Sequence, residues 1–258
     1  MMNRIPMVAG NWKMYKNISE ARHLVSEMIP GLQMVENVEK VICPPFTALL
    51  AVRALLEGSD IGLGAQDMYW ESAGAFTGEI SPLMLSELCH YVIIGHSERR
   101  SYFGETNQTV NKKLHAALSH GLFPIVCVGE TLEENQAHKT HQVITSQLHE
   151  GFQALVLDRV EDNGQVPFAI AYEPVWAIGT GQAASPEGAN TVVKEIVRPA
   201  LTDMFGEKLA SMTRVLYGGS VKANNASDFF VQSDIDGALV GGACLKVEEF
   251  IPIVQAAA

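Results

Sequence analysis

Phe168-Ala-Ile-Ala-Tyr-Glu-Pro-Val-Trp-Ala-Ile-Gly-Thr-Gly181 reads as a strand that ends and turns into a loop. Phe168 to Tyr172 is apolar and β-prone, and Pro174 stops it. At a strand period of two, Ala169, Ala171 and Glu173 share one face. Two small residues followed by a carboxylate fit a narrow interior that opens at one end. Glu173 then stands at the mouth, where burial can tune it as a base. Behind it, Pro174-Val175-Trp176 is stiff and Gly179-Thr180-Gly181 is glycine-rich, the make-up of a lid. Taken alone, the stretch is equally an ordinary strand-to-helix loop with a surface glutamate.

The same cycle recurs along the chain. Other β-like runs lie at 5–10, 38–43, 60–65, 91–95, 123–128, 213–217 and 237–240, each followed by a helical pattern. The first helix is expected to start with Ser19 as its cap and to end near Pro30-Gly31. The next spans 47–57 and stops at Gly58. After a long polar loop to Glu79, Ser81-Pro82 opens a short helix. Helical patterns follow over 107–119, over 131–155 (Thr131 and Glu134 at capping-box spacing), over 185–204 and 225–231, and to about residue 254. Eight βα cycles imply a parallel sheet, and right-handed crossovers let it close into an α/β, (β/α)8 barrel of eight parallel strands surrounded by helices. An open doubly wound sheet is the rival, with no GxGxxG at the first helix to support it. No linker or composition break appears, so residues 1–258 read as a single domain.

Composition narrows the partners. At 47% hydrophobic the 258 residues are globular rather than disordered. The net charge of −11 argues against nucleic acid and anionic membrane, so an anionic small substrate needs its own local donors. No apolar run is long enough to span a membrane, and the first residues lack a signal-peptide core. Cys43, Cys89, Cys127 and Cys244 are widely spaced with no CxxC pair, which reads as reduced, mostly buried thiols in a cytoplasmic protein with no zinc.

In a closed parallel barrel, chemistry gathers at the C-terminal ends of the strands. Asn11 and Lys13 follow the first strand, two apart, and both face the mouth if the strand continues. His96 follows the fourth, on the face of Val92 and Ile94, with Ser97-Glu98 beyond it. Glu173 follows the sixth. Gly218-Gly219-Ser220 and Gly241-Gly242 follow the seventh and eighth, the loops that bind phosphate in such barrels. Singly, each has an ordinary reading: a solvated lysine, a core histidine, glycine turns. The weight lies in their falling together on one rim.

These motifs resemble the triosephosphate isomerase family. Ala9-Gly-Asn-Trp-Lys13, Gly95-His-Ser-Glu-Arg-Arg100, Cys127-Val-Gly-Glu130, Ala171 to Gly181, Tyr217-Gly-Gly-Ser220 and Leu239-Val-Gly-Gly242 stand in family order over nearly the whole chain, as does the 65–79 loop. The resemblance implies a TIM barrel that interconverts dihydroxyacetone phosphate and D-glyceraldehyde 3-phosphate. It implies Glu173 as base and His96 as neutral electrophile, its pKa depressed by the helix that starts at Ser97. It implies Lys13 as fixed positive charge, Asn11 as donor, and Glu98 orienting Lys13. The phosphate would lie on the N–H groups of Gly179, Ser220, Gly241 and Gly242. Only protons move, so no cofactor and no metal are called for. The family also implies a homodimer in which the 65–79 loop, with Thr77 near its tip, docks beside the partner's Asn11 and Lys13. Two positions depart from the family pattern: Gln182-Ala183-Ala184 at the end of the lid, and Cys244 where serine is common. A non-catalytic phosphate-binding barrel would not need His96 and Glu173 together. An aldolase would want a lysine buried within a strand, and a metal-dependent epimerase a His/Asp cluster.

Overall fold

The computed structural model describes residues 4–157, 166–178 and 184–258. Among them, eight strands pair in chain order as a closed parallel barrel. They are β1 (Met7–Asn11), β2 (Glu39–Cys43), β3 (Ile61–Ala65), β4 (Tyr91–Ile94), β5 (Phe123–Val128), β6 (Ala169–Tyr172), β7 (Arg214–Tyr217) and β8 (Gly237–Val240). The expected open-sheet rival is excluded by the last pairing, which sets Met7 of β1 opposite Gly237 of β8. Only glycine fits there, because a Cβ on residue 237 would lie 1.9 Å from the Met7 carbonyl oxygen, at φ 132°.

Alternation sorts the side chains into two layers. Met7, Ala9, Val41, Cys43, Ile93, Phe123, Ile125, Cys127, Ala169, Ala171, Leu216 and Leu239 fill the barrel. Their neighbours, such as Val8, Ile42, Val92, Ile94, Val126 and Val215, pack in a separate cluster with the helices. The N-terminal end is closed by polar groups on first residues of strands. Tyr91 donates to Glu39 Oε1 at 2.6 Å, Arg214 pairs with Glu39, and the Arg214 guanidinium lies 5.1 Å from the Phe123 ring centroid. Asp236 ties the same end together, accepting from Arg4 Nε (2.5 Å), Arg198 (2.8 Å) and the Val215 N–H (2.8 Å). The opposite end stays open.

The outer layer is helical: α1 (Ile18–Gln33), α2 (Leu49–Leu56), α3 (Pro82–Ser86), α4 (Ser97–Phe103), α5 (Asn107–Ser119), α6 (Leu132–Gln136), α7 (Thr140–Gly151), α8 (Pro186–Val192), α9 (Arg198–Met212), α10 (Ala226–Phe230) and α11 (Val247–Gln255). Helix α1 buries Ala21, Leu24, Val25, Met28 and Leu32, a stripe at helical spacing. It differs from expectation at both ends. Its cap is Asn17, not Ser19: Asn17 accepts from Glu20 N–H at 3.0 Å and Glu20 returns a bond to Asn17 N–H at 2.8 Å. It also runs past Pro30-Gly31. Gly31 is there for packing against α11, since a Cβ would come 2.3 Å from Ile251 Cδ1.

The helical pattern over 131–155 is broken at His138, which has φ 56°, and the helix expected over 47–57 opens with a 3-10 turn, Phe46–Ala48. The pattern over 185–204 becomes α8, a π turn at Val193–Val197 and α9, which runs on to Met212 with Gly206 non-helical inside it. Pro199 has no N–H for the i→i−4 ladder, and the wider turn precedes it. Replacing Asn17→Ala should cost about 1 kcal/mol, read as a thermal midpoint lower by about 2–4 °C, while Ser19→Ala should leave it within about 1 °C. Equal effects of the two would contradict the cap assignment.

Candidate active site

The open rim of the barrel holds a cavity of about 410 Å³ lined by Asn11, Lys13, His96, Glu173, Gly218, Gly219, Ser220, Gly241 and Gly242. Asn11 continues the inward face of β1 after Met7 and Ala9 and is 5% exposed. Lys13 arrives differently from the expected continued strand. The strand ends at Asn11, Trp12 is wholly buried, and Lys13 takes φ 52° with its N–H on Asn11 Oδ1 at 3.0 Å. Gln66 braces this turn by donating to the carbonyls of Lys13 and Cys43, each at 2.9 Å. The Lys13 ammonium then meets Glu98 Oε1 at 2.6 Å.

His96 also reaches the rim by an unexpected route. Val92 and Ile94 face the helices and Ile93 faces the interior, so continued alternation on the Val92 face would turn His96 away from the mouth. Gly95 breaks the alternation at φ 74°, where a Cβ would crowd Arg100 and Val110 at 3.0 Å. His96 is the N-cap of α4, and its Nδ1 accepts from Glu98 N–H at 3.2 Å. That bond assigns the ring proton to Nε2, which lies 2.9 Å from Glu173 Oε1.

Glu173 is 2% exposed. Its second oxygen, Oε2, accepts from Ser97 N–H at 2.9 Å, at the first turn of α4. Its backbone is fixed by Glu173 N–H on Val128 O at 2.8 Å. Two glycines make room for it. A Cβ on Gly129 would sit 1.7 Å from the Glu173 carbonyl oxygen, and one on Gly218 would sit 2.7 Å from Glu173 Cγ.

The charges of this pair are coupled. Burial alone pushes the Glu173 carboxyl up, but the His96 ring and the Ser97 N–H outweigh it and hold the pKa below the ordinary value. Burial disfavours the His96 imidazolium, yet the Glu173 carboxylate, with Glu98 behind it, lifts the ring above 6.5. The depressed histidine expected from the helix start is thus corrected: the N–H does point at Nδ1, but the carboxylate at Nε2 is stronger while the two touch. Beneath them, burial and then the Glu173 charge push the Cys127 thiol well up, so it stays neutral.

Of the phosphate-loop residues expected from sequence, Ser220, Gly241 and Gly242 line the far side of the cavity. The tight glycine there is Gly219, whose Cβ would lie 2.2 Å from the Tyr217 hydroxyl oxygen. At Gly241 the nearest atom would be 3.7 Å away, and at Gly242 nothing lies within 4 Å, so side chains at these two would fill cavity space instead. Gly179, with Thr180, Gly181 and Gln182-Ala183, lies outside the described residues. Cys244 is buried against Gly10. Thr77 is exposed in the 65–79 loop and is not brought to Glu173.

Several residues that shape the site stood in the quoted motifs with no contact assigned to them. Ser97 holds Glu173 through its backbone, which no side-chain motif announces. Gly129 stood in Cys127-Val-Gly-Glu130 with nothing to say what its missing side chain makes room for. Glu130 is wholly buried and accepts from Trp176 Nε1 (2.9 Å), Asn135 Nδ2 (3.0 Å) and the Tyr172 hydroxyl (3.3 Å), while its carbonyl takes Val175 N–H at 3.1 Å. It therefore anchors the start of the segment after β6, and its signal was the pairing of an acid after β5 with an indole after β6.

The Triosephosphate isomerase family profile matches residues 6–257. A triosephosphate isomerase of Dehalococcoides mccartyi is 52% identical over 252 residues, covering 98% of this chain and 96% of its own. Those of Chloroflexus aurantiacus and Thermoanaerobacter pseudethanolicus are 49% and 51% identical over 253 residues, covering 98% of this chain and 99% of theirs.

Glu173→Gln removes the group that lifts His96. The His96 titration midpoint, followed by NMR of its ring, should therefore move down in that variant. An unchanged or higher midpoint would show that the carboxylate does not set the histidine's charge.

Proposed function

The chain belongs to the triosephosphate isomerase family, and from that premise we propose how its rim residues share the work of interconverting dihydroxyacetone phosphate and D-glyceraldehyde 3-phosphate. The observation that carries the assignment is Glu173 facing His96 at 2.9 Å in a buried cleft whose far wall is the Ser220 and Gly241-Gly242 loops. A carboxylate and a ring N–H meet at one end, backbone amides stand at the other, and the Lys13 side chain reaches between them, its Nζ 3.9 Å from where a Cβ on Gly241 would be. That is the layout a phosphorylated carbonyl compound needs if a proton is to leave the carbon beside the carbonyl.

Glu173 is the base. Both its oxygens are engaged, by His96 and by Ser97 N–H, so it must leave these donors to reach a substrate carbon. That movement has a second effect. With the carboxylate gone from Nε2, burial, Lys13 and the Glu98 N–H at Nδ1 favour a neutral ring, against the weaker pull of the Glu98 carboxylate. His96 then offers its Nε2–H to the enediolate oxygen without giving up the proton outright. Lys13 supplies fixed positive charge to the same oxygens, positioned by Glu98, and Asn11 adds a donor. Glu173 returns the proton to the adjacent carbon as the hydroxyl proton passes from the first oxygen to the second beside His96, which completes the aldose–ketose exchange with no change in oxidation state.

Ser220, Gly241 and Gly242, with Gly179, hold the phosphate through backbone N–H groups. Binding the part of the substrate that does not react fixes the reacting carbons against Glu173. A lid over 174–181 would exclude water from an intermediate that otherwise eliminates phosphate. Loss of lid hydrogen bonds at Gln182-Ala183 would change its closing rate rather than the reaction.

The whole chain, 1–258, is taken as one folding unit that works as a homodimer in the cytoplasm. Support for the dimer comes from exposed apolar groups on one side of the rim: Met14 is 95% exposed, Tyr102 77% and Phe103 67%. Beside Asn11, Lys13 and His96 a further cavity of about 460 Å³ is lined by Met14, Phe46, Gln66 and Phe103. The 65–79 loop is stiffened by Tyr69 stacked on Trp70 at 4.0 Å and packed on Phe76 at 4.6 Å, which suits it to dock, Thr77 first, into a second copy. For the location, the support is four unpaired cysteines and, among the described residues, no helix long and apolar enough to cross a membrane.

In a coupled isomerase assay with EDTA present, the native chain should be fully active and Glu173→Gln should lose about 10³-fold in kcat. Metal dependence, or an active Glu173→Gln, would overturn the assignment. Deleting 69–77 should yield a monomer of severely reduced activity, checked by sedimentation alongside the assay. A fully active monomer would remove the loop from the reaction.

A further inference from the structure

We propose that Lys222 and Lys246 form a capture site for the substrate's phosphate dianion, drawing it to the cleft before the catalytic groups engage it. The proposal rests on the rim reading given above and adds a step that precedes it. The starting point is a charge problem. The chain carries −11, and a phosphate monoester near neutral pH carries close to two negative charges. At the reacting end no cation is left free: Lys13 is matched by Glu98 at 2.6 Å, and the Glu173 carboxylate stands against His96 at 2.9 Å. Those groups are poised for chemistry but offer an approaching dianion little net attraction.

The remaining charged groups that line the cavity are Lys222, Lys246 and Glu249. Both lysines are exposed, and among the described residues neither makes an ion pair. Glu249 is occupied, accepting Ala223 N–H at 3.0 Å. Each lysine is fixed to one of the two phosphate loops. Lys222 follows Ser220, and Asn225 binds both, accepting Lys222 N–H at 2.8 Å and donating to Ser220 O at 3.3 Å. Lys246 follows the Gly242–Leu245 turn, with its N–H on Ala243 O at 3.3 Å, and stands directly before α11. Two cations thus flank the amides of Ser220 and Gly242 from the solvent side. A cleft edge of one sign focuses field into a low-dielectric opening and raises the encounter rate of the opposite charge. Without these two, the charges left beside the phosphate loops would be Glu249 and Lys13, whose ammonium lies 3.9 Å from where a Cβ on Gly241 would be and is already paired with Glu98.

The test uses the intact enzyme with Lys222→Gln, Lys246→Gln, the pair, and the pair as arginines. Turnover of the phosphorylated triose is measured from low to high salt, alongside turnover of unphosphorylated D-glyceraldehyde. The double glutamine variant should lose about tenfold in kcat/KM at low ionic strength. The loss should shrink towards none at about 1 M salt, where charges beyond ~3 Å are screened. Its kcat and its activity on D-glyceraldehyde should be unchanged, and the arginine pair should behave as the native chain. An unaltered kcat/KM and salt slope would overturn the proposal, as would a fall in kcat as large as that in kcat/KM. Glu173→Gln, run in parallel, separates this failure from failure of the rim reading, since that variant must lose kcat if the cleft is the site at all.

Discussion

The pairing of β8 with β1 is the constraint on which the rest depends. Eight strands laid down in chain order acquire a common rim only when the last meets the first, and that contact passes through a position with no room for a side chain, Gly237 against Met7 O. Once closed, the barrel has one filled end and one open end. Glu39, Tyr91 and Arg214 occupy the first, with a part-buried ion pair and a phenol that consume one another's polarity. The C-terminal strand ends supply the second, so residues from β1, β4, β6, β7 and β8, far apart in sequence, share one cleft.

Within that cleft the design is of charges held in mutual restraint. Glu173 is held towards its ionised form by the His96 ring and the Ser97 N–H, and its carboxylate in turn raises the His96 pKa. Backbone N–H groups do much of the holding: Ser97 N on the Glu173 carboxylate, Glu98 N on the imidazole, both from the opening turn of α4. A helix start placed between these two side chains can serve both because its first amides have no partners within the helix.

The architecture was readable because it is written in periodicities. The limits of β5, β8 and α5 match the sequence pattern residue for residue, since each is bounded by glycine, proline or a capping residue. The inward placement of Ala169, Ala171 and Glu173 followed from alternation alone. What alternation could not supply is a break in itself. His96 and Lys13 reach the rim through left-handed backbone, at Gly95 and at Lys13 itself, and a period of two puts His96 on the wrong face. Protonation was beyond reach for a different reason. The sign of the His96 shift depends on a carboxylate that is distant in sequence and 2.9 Å away in space. The α1 cap moved by two residues because Ser19 and Asn17 are both good caps and only the reciprocal bond with Glu20 selects one.

Gly129 has a bearing on descent. Its missing side chain is the space that the Glu173 carbonyl occupies, at 1.7 Å from where a Cβ would be. The two residues follow different strands and stand in different motifs, yet position 129 cannot gain a side chain while the backbone at 173 stays where it is. A lineage exploring substitutions at position 129 would be displacing the Glu173 backbone, whatever the new residue's own chemistry. The dependence runs one way, because any residue at 173 carries the same carbonyl, so the fold passes on the position of that backbone together with an absence beside it.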